Sequence, residues 1–207
     1  MVFLKKLGML IGFLVLAVYW PVNRSFGQAQ AYSSDGLPIT VPAGMPKDPV
    51  VDIKKEDLDG KPLIDFTVLA SFNYDYPDVD GDPASLAKDK RKKPVYPQSV
   101  LKLNGQEVAI PGFMVPMDQD EDGDKSTYFI LVRNQMSCCF GVAPGLNEWV
   151  SVRMDKGQKA LIEMDRPVVV LGTLDVGEVY NPDSGWSFYR MKGEKVIIAG
   201  KKKVWFQ

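Results

Sequence analysis

Two adjacent cysteines, Cys138 and Cys139, carry the most distinctive chemistry in this sequence. Neighbouring cysteines rarely bond to each other, because the bond would close a strained ring through one peptide unit. Together with Met136, two thiolates form a soft ligand set suited to Cu(I), whereas Zn would need further ligands because the chain has no histidine. Three alternatives stay open: binding of Cu or Zn, thiol–disulfide redox chemistry, and simple packing of buried thiols.

A second candidate is the acidic run at residues 118–124. Its alternating carboxylates and the glycine after them reproduce the opening of a calcium-binding loop: Asp118, Asp120, Asp122 and Gly123. Phe129 stands at the twelfth position, where such a loop needs a bidentate glutamate, and the flanking segments are predicted strands. The run therefore predicts a solvated hairpin tip, with weak calcium binding as its functional alternative.

A third candidate is the turn that ends at residue 149. Pro144 and the glycine after it predict a turn, and the side chain of Asn147 can hold that turn. Glu148 and Trp149 begin the next strand, and a tryptophan in this position is more often part of a core than a ligand platform.

Several function classes are excluded by composition. Without histidine there is no Ser-His or Cys-His catalytic pair, and the sequence contains no Gly-rich phosphate loop. Residues 1–31 hold three basic residues and no acid, so removing them leaves 25 − 3 = 22 basic and 26 acidic residues, a net charge of −4. A nucleic-acid partner is not expected, because such binding depends on neutralising phosphates. We expect a protein that is not an enzyme; a hydrolase based on carboxylates is the remaining catalytic alternative.

The elements that position these residues are predicted to be strands. Runs rich in Val, Ile, Phe and Tyr, bounded by Gly, Asp, Asn or Pro, occupy residues 107–117, 127–133, 148–153, 167–174, 187–191 and 195–199. The composition of residues 156–165 predicts one short helix between the third and fourth runs. This order predicts a mainly β fold, a small OB-like barrel of five to six strands, with an open β-sandwich as the alternative.

The N-terminus predicts export. A short basic region precedes the apolar residues 7–20, and the small-x-small pattern at residues 29–31 predicts signal-peptide cleavage after Ala31. Fourteen apolar residues in a helix span about 21 Å, short of the ~30 Å hydrocarbon core, although a retained anchor is the alternative. We therefore expect an exported protein, either periplasmic or tethered to the membrane and facing the periplasm.

The rest of the chain divides into two predicted regions. Residues 32–97 predict an extended leader with one packed apolar segment, residues 66–74, and a charged loop. That loop includes the basic run of residues 88–93, which is typical of a solvated segment. Residues 98–207 form the predicted barrel domain.

Three of these segments resemble, in order and spacing, a bacterial family of exported proteins classed as a domain of unknown function. They are the strand at residues 103–117, the strand at residues 127–132, and the loop from Cys138 to Glu148. Family members carry a G-x-x-V-x-I-x-G-[FY]-M-x-P strand and a C-x-H-V-P-P-P-P-P-N-Q loop. The resemblance places Cys138 at the family cysteine, Pro144 at one of the prolines and Asn147 at the asparagine, but Phe140 replaces the histidine.

The resemblance implies an envelope protein, in some relatives associated with metal-responsive transport, and it implies no reaction. We therefore expect a non-catalytic binding or accessory module that acts with an envelope protein partner and handles a soft metal through Cys138 and Cys139. A thiol–disulfide redox protein that uses the same two residues is the main alternative.

Overall fold

The computed structural model describes residue 49 and residues 51–75, 90–135, 144–181 and 185–199. The strands within these ranges are β1 (Gln106–Pro116), β2 (Lys125–Ser126), β3 (Tyr128–Val132), β4 (Trp149–Met154), β5 (Ala160–Leu161), β6 (Val168–Asn181) and β7 (Gly185–Ile198). The helices whose bounds lie within the described ranges are short: a 3₁₀ helix at Lys55–Leu58, α1 at Phe66–Leu69 and α2 at Gln98–Leu101. The prediction of a mainly β chain is confirmed.

Five of the strands form one mixed sheet in the order β1-β3-β4-β7-β6. The sheet closes on itself as a barrel, because β6 pairs with β1 from Gly112↔Val168 to Gln106↔Leu174. The pairing of β4 with β7 is parallel, and the other pairings in the barrel are antiparallel. Strands β2 and β5 form a separate two-stranded sheet.

The apolar runs in β1 and β6 are continuous because both faces of these strands are covered. Successive side chains of a strand point to opposite faces, so Val108 and Ile110 enter the main core while Ala109 faces outward. Outside, Ala109 packs in a second cluster with Leu58. The chain before β1 is also fastened there, since the backbone N–H groups of Ala109 and Ile64 donate to the carbonyls of Pro62 (2.9 Å) and Ala109 (2.8 Å).

The helix α1 packs into the main core. The side chain of Asp65 accepts a hydrogen bond from the backbone N–H of Val68 at 3.3 Å and so caps the N-terminus of α1. Phe66 and Leu69 are fully buried in the cluster. The hydroxyl of Tyr189 donates to the carbonyl of Leu69 at 2.7 Å, which joins α1 to β7.

One close approach in the barrel requires glycine. The pairing of β6 with β7 shifts register between Leu171 and Gly172. A Cβ atom at Gly172 would lie 2.1 Å from the carbonyl oxygen of Lys192, so only glycine fits this backbone contact.

The predicted helix at residues 156–165 is wrong. This segment is a turn followed by β5, and Gly157 adopts a left-handed conformation with φ of 82° that an α-helix does not contain. The backbone N–H of Ile162 donates to the carbonyl of Asp124 at 2.8 Å, which joins the segment to the β2 region.

The boundaries of the last strands also differ from the prediction. The runs at residues 187–191 and 195–199 belong to one strand, β7, and β6 continues to Asn181. The pairing with β6 continues through Gly193, and the missing side chain there allows β4 to approach closely, since a Cβ would lie 2.8 Å from the Met154 sulfur. The second half of β6 and the first residues of β7 form a two-stranded ribbon, residues 175–181 and 185–189, beyond the pairing with β1.

Candidate functional site

The cysteine candidate lies in the connection between β3 and β4. Met136, Cys138 and Cys139 are outside the described residues, as is the predicted targeting segment at residues 1–31. The structure describes the two flanks of the connection, residues 133–135 and 144–148, which we call the loop base. The loop base determines how the ends of the cysteine segment are held.

The two flanks of the loop base are bonded to each other. The backbone N–H of Arg133 donates to the carbonyl of Glu148 at 3.0 Å, which extends the pairing of β3 with β4 by one step. The guanidinium of Arg133 also donates to the Glu148 carboxylate at 3.0 Å. The Arg133 side chain is 13% exposed, so this ion pair is partly shielded from solvent.

The turn at residues 144–148 is closed locally by Glu148. Its backbone N–H donates to the carbonyl of Gly145 at 2.8 Å, and its carboxylate accepts from the Gly145 N–H at 3.2 Å. Pro144 stands at the first described position of this flank and is half-buried. Glu148 therefore serves both the turn and the ion pair with Arg133.

Side chains from a distant part of the sequence complete the loop base. The hydroxyl of Tyr74 accepts a hydrogen bond from the N–H of Leu146 at 2.6 Å. The side-chain amide of Asn147, buried at 7% exposure, donates to the carbonyl of Phe72 at 2.8 Å. Asn147 thus binds the segment that follows α1, a partner that the turn chemistry of its own segment did not predict.

Apolar contacts support the same region. Leu146 and Trp149 are buried at 3% and 5% exposure, and Leu146 belongs to the main core. The ring of Phe72 stacks on Phe188 of β7 with centroids 5.9 Å apart, and Tyr74 meets Phe188 edge to face at 4.8 Å. The aromatic residues at 72 and 74 were the available sequence signal, since they lie in the predicted packed apolar segment, but their contacts with residues 146 and 147 were missed.

The acidic run forms the tip of a hairpin, as its sequence predicts. Asp118 is bonded to the second arm of that hairpin: its carboxylate accepts from the Ser126 hydroxyl at 2.6 Å and from the N–H groups of Thr127 and Tyr128, each at 2.9 Å. The Thr127 hydroxyl also donates to it. Burial by itself raises the pKa of Asp118, but these hydrogen bonds outweigh burial and lower the pKa to about 2.

The structure separates Asp118 from the other acidic candidates. Asp120 and Asp122 lie with Asp124, and one carboxylate oxygen from each falls within 4.8 Å of the others. Asp120 is engaged by the Lys159 ammonium at 3.1 Å and by the Lys125 N–H at 3.1 Å. These two contacts outweigh the desolvation that would raise the Asp120 pKa, and they lower it.

Two further carboxylates show the same direction of shift. The pKa of Asp155 is lowered, mainly by a hydrogen bond from the Lys156 N–H and by Lys192. Burial raises the pKa of Glu163, but the Arg166 side chain and the Asp165 N–H, which both donate to its carboxylate, together outweigh burial and lower the pKa. Every carboxylate with a shifted pKa in the described ranges is therefore held more firmly as an anion, the opposite of what a general acid needs.

Within the ranges that the structure describes, we found no helix long and apolar enough to cross a membrane.

Comparison with known proteins places the chain in a family. The model of the family described as Protein of unknown function (DUF3299) matches residues 78–198. A solved structure of a DUF3299 family protein from Pseudomonas aeruginosa PAO1 shares 23% sequence identity, covers 79% of this chain and 93% of its own, and superposes with a TM-score of 0.42. No match was found among curated proteins. Because the family model covers more than half of the sequence, this chain belongs to the DUF3299 family.

Proposed function

We propose that this protein is an exported, non-catalytic binding module that holds a soft metal ion at Cys138 and Cys139, with Met136 as a third ligand. The observation that carries the proposal is the construction of the loop base. Three contacts, from Arg133, Tyr74 and Asn147, fix the two ends of the segment that contains the vicinal thiols. Holding both ends of a ligand-bearing segment lowers the conformational entropy lost when a ligand orders it.

The ligand chemistry favours Cu(I) over Zn. Two thiolates and one thioether satisfy Cu(I), which prefers soft ligands. A structural Zn site requires four ligands, and this chain has only two cysteines and no histidine to complete the set. The role that fits such a site is metal handling for an envelope protein partner, in the periplasm or at the membrane surface facing it.

The fold supports a binding role. Counting only the barrel strands, the order is first, second, third, fifth, fourth, and the third and fifth strands are parallel. We propose that this is an OB-like barrel, an architecture that presents ligand-binding loops on a closed sheet. The lowered pKa values of Asp118, Asp120, Asp155 and Glu163 count against a hydrolase based on carboxylates.

Native mass spectrometry of protein purified without oxygen from the envelope tests the metal site. The wild-type chain, loaded with Cu(I), is expected to carry one ion that is lost on denaturation. The double variant Cys138→Ser with Cys139→Ser should lose it, while the neighbouring control Ser137→Ala keeps it. Equal copper content in the double variant and the control would refute the proposal.

The denatured mass separates the redox alternative from metal binding. A mass short of two hydrogens that is restored by reductant would show a Cys138–Cys139 disulfide and favour thiol–disulfide chemistry. The same measurement reports whether residues 1–31 have been removed, because cleavage after Ala31 leaves a chain of defined mass.

Calcium at the acidic hairpin is tested by adding Ca²⁺ at millimolar concentration and comparing wild type with Asp122→Asn.

A further inference from the structure

The segment at residues 90–96, which we call the strap, is fastened to the ribbon by its side chains. Arg91 forms an ion pair with Glu178 of the ribbon, and these two side chains are 8% and 9% exposed. The Lys93 ammonium lies 3.2 Å from the other oxygen of Glu178. The central carbon of the Arg91 guanidinium lies 5.0 Å from the centroid of the Trp186 ring. The strap itself belongs to no helix or strand of the described chain.

The last residue of the strap packs on the aromatic side chains that support the loop base. The ring of Tyr96 lies 5.2 Å from the ring of Phe72 and meets Phe188 of the ribbon edge to face at 5.7 Å, measured between centroids. The carbonyl of Phe72 is the group that accepts the side-chain amide of Asn147 in the loop base. The strap therefore contacts directly the segment that binds the loop base.

One polar atom on each side of this contact is buried without a hydrogen-bond partner among the described residues. On the strap it is the hydroxyl of Tyr96, and on the ribbon it is the indole nitrogen of Trp186. Such a group has lost its hydrogen bonds to water and gained none in return, so its burial opposes closure of the strap. Burial also raises the pKa of Tyr96 to about 12, and the nearby Glu178 carboxylate adds to the rise.

The ion pair stabilises the closed strap only in part. Removing the Arg91 guanidinium and the Glu178 carboxylate from water costs free energy that offsets much of their attraction. Arg91 also donates to the carbonyl of Asp75 at 3.3 Å, but this contact is exposed and water can replace it. The closed strap is thus a balance of opposing contributions, and we expect it to be far less stable than the barrel.

We infer that the strap opens as a unit while the barrel stays folded, and that its opening loosens the loop base. The open strap exposes the hydroxyl of Tyr96, the indole nitrogen of Trp186 and the carboxylate of Glu178 to water. It also takes the ring of Tyr96 away from Phe72. The strap is therefore a conformational device that sets how firmly the loop between β3 and β4 is held. Because the inference concerns the protein without a ligand, it does not depend on the proposed metal site.

Amide hydrogen exchange of the purified protein without added metal, followed by NMR, tests this inference. The N–H of Leu146, which donates to the Tyr74 hydroxyl, reports on the loop base. The N–H groups of Thr127 and Tyr128, which donate to Asp118, report on the acidic hairpin. Local opening of the strap changes exchange at the first position and leaves the other two unchanged.

Glu178→Gln should accelerate exchange at Leu146 about tenfold, because it leaves the Arg91 guanidinium buried without its carboxylate. The matched control is Glu163→Gln, which removes the charge of a carboxylate that also pairs with an arginine but lies outside the strap and the ribbon. The control should exchange like the wild type at Leu146.

Tyr96→Phe should have the opposite effect. It keeps the ring contacts with Phe72 and Phe188 and removes the buried hydroxyl, so exchange at Leu146 should slow about tenfold. Unchanged exchange at Leu146 in Glu178→Gln, or unchanged or faster exchange in Tyr96→Phe, would overturn the inference. So would equal acceleration at Thr127 and Tyr128 in Glu178→Gln, because the whole fold would then have been weakened.

Discussion

The acidic hairpin and the loop base both join neighbouring antiparallel strands, and they are held in opposite ways. In the hairpin, Asp118 accepts all its described hydrogen bonds from residues 126–128, within ten positions along the chain. In the loop base, Leu146 and Asn147 bond to Tyr74 and Phe72, more than seventy positions away. The hairpin can therefore form as soon as its own strands meet, whereas the loop base requires the assembled barrel and the packed segment after α1.

The largest effect should come from removing the local bonds. Asp118→Ala leaves up to four donors of the hairpin without their acceptor, and we expect a loss of about 3 kcal/mol in the free energy of unfolding. Urea unfolding measures it. Asp122→Ala, at an exposed position of the same run, should change stability by less than about 0.5 kcal/mol. If the two variants were equally stable, the hairpin would not depend on Asp118.

Removing the long-range hydrogen bond from Asn147 to Phe72 should lower the free energy of unfolding somewhat less. Asn147→Ala leaves the Phe72 carbonyl without its donor at a buried position, and we expect a loss of about 2 kcal/mol. In the double variant Asn147→Ala with Tyr74→Phe, the two losses in unfolding free energy should be non-additive by at least about 0.5 kcal/mol, because both side chains join the same two segments. In the double variant Asn147→Ala with Asp118→Ala, the two losses should be additive. Coupling between Asn147 and Asp118 would break the distinction between the two regions.

Acid should weaken the acidic hairpin through Asp118. The pKa of Asp118 is lowered from 3.8 to about 2 in the folded chain, so its carboxylate stabilises the fold fully above about pH 4 and loses this contribution as the pH falls towards 2. Unfolding measured from pH 5 to pH 2 should show this decline. In Asp118→Asn the free energy of unfolding should fall less steeply with decreasing pH. In Asn147→Ala it should fall as steeply as in the wild type.

The smallest effect should come from the partly exposed ion pair. Glu148→Gln keeps an oxygen that can accept from the Gly145 N–H and loses the charge that faces Arg133. We expect a loss of about 0.5 kcal/mol that decreases as salt is raised from 0.05 M to 1 M. The stability of Asp118→Ala relative to wild type should respond less to salt. A loss above about 2 kcal/mol would show that the Arg133–Glu148 pair dominates the loop base.

The contrast between the regions also explains what the sequence could predict. Strand composition located β1, β3 and β4 to within two residues, because apolar β-branched runs bounded by turn residues are a local signal. The hairpin tip was predictable for the same reason. The prediction of a helix at residues 156–165 failed because Gly157 adopts a left-handed backbone, and the turn that contains it breaks any helical period.

Contacts between distant residues could not be predicted from one sequence. Nothing near Asn147 indicates that its amide reaches Phe72, and nothing near Arg91 indicates Glu178, which is 87 residues away. The basic run was predicted to be solvated on charge alone. Arg91 departs from that prediction because the aromatic ring of Trp186 and a carboxylate together replace its hydration.

The pairing of β1 with β6 also governs the order in which the chain can acquire its structure. Gln106 pairs with Leu174, and the parallel partner of β4 is β7, which ends at Ile198. During synthesis, β1, β3 and β4 can form a meander as they emerge. The outer edge of β1 then stays unpaired until β6 (Val168–Asn181) has emerged, and the outer edge of β4 until β7 (Gly185–Ile198) has emerged. The nascent protein therefore displays two unpaired strand edges until β6 and β7 have emerged, a window in which a chaperone has a defined surface to protect.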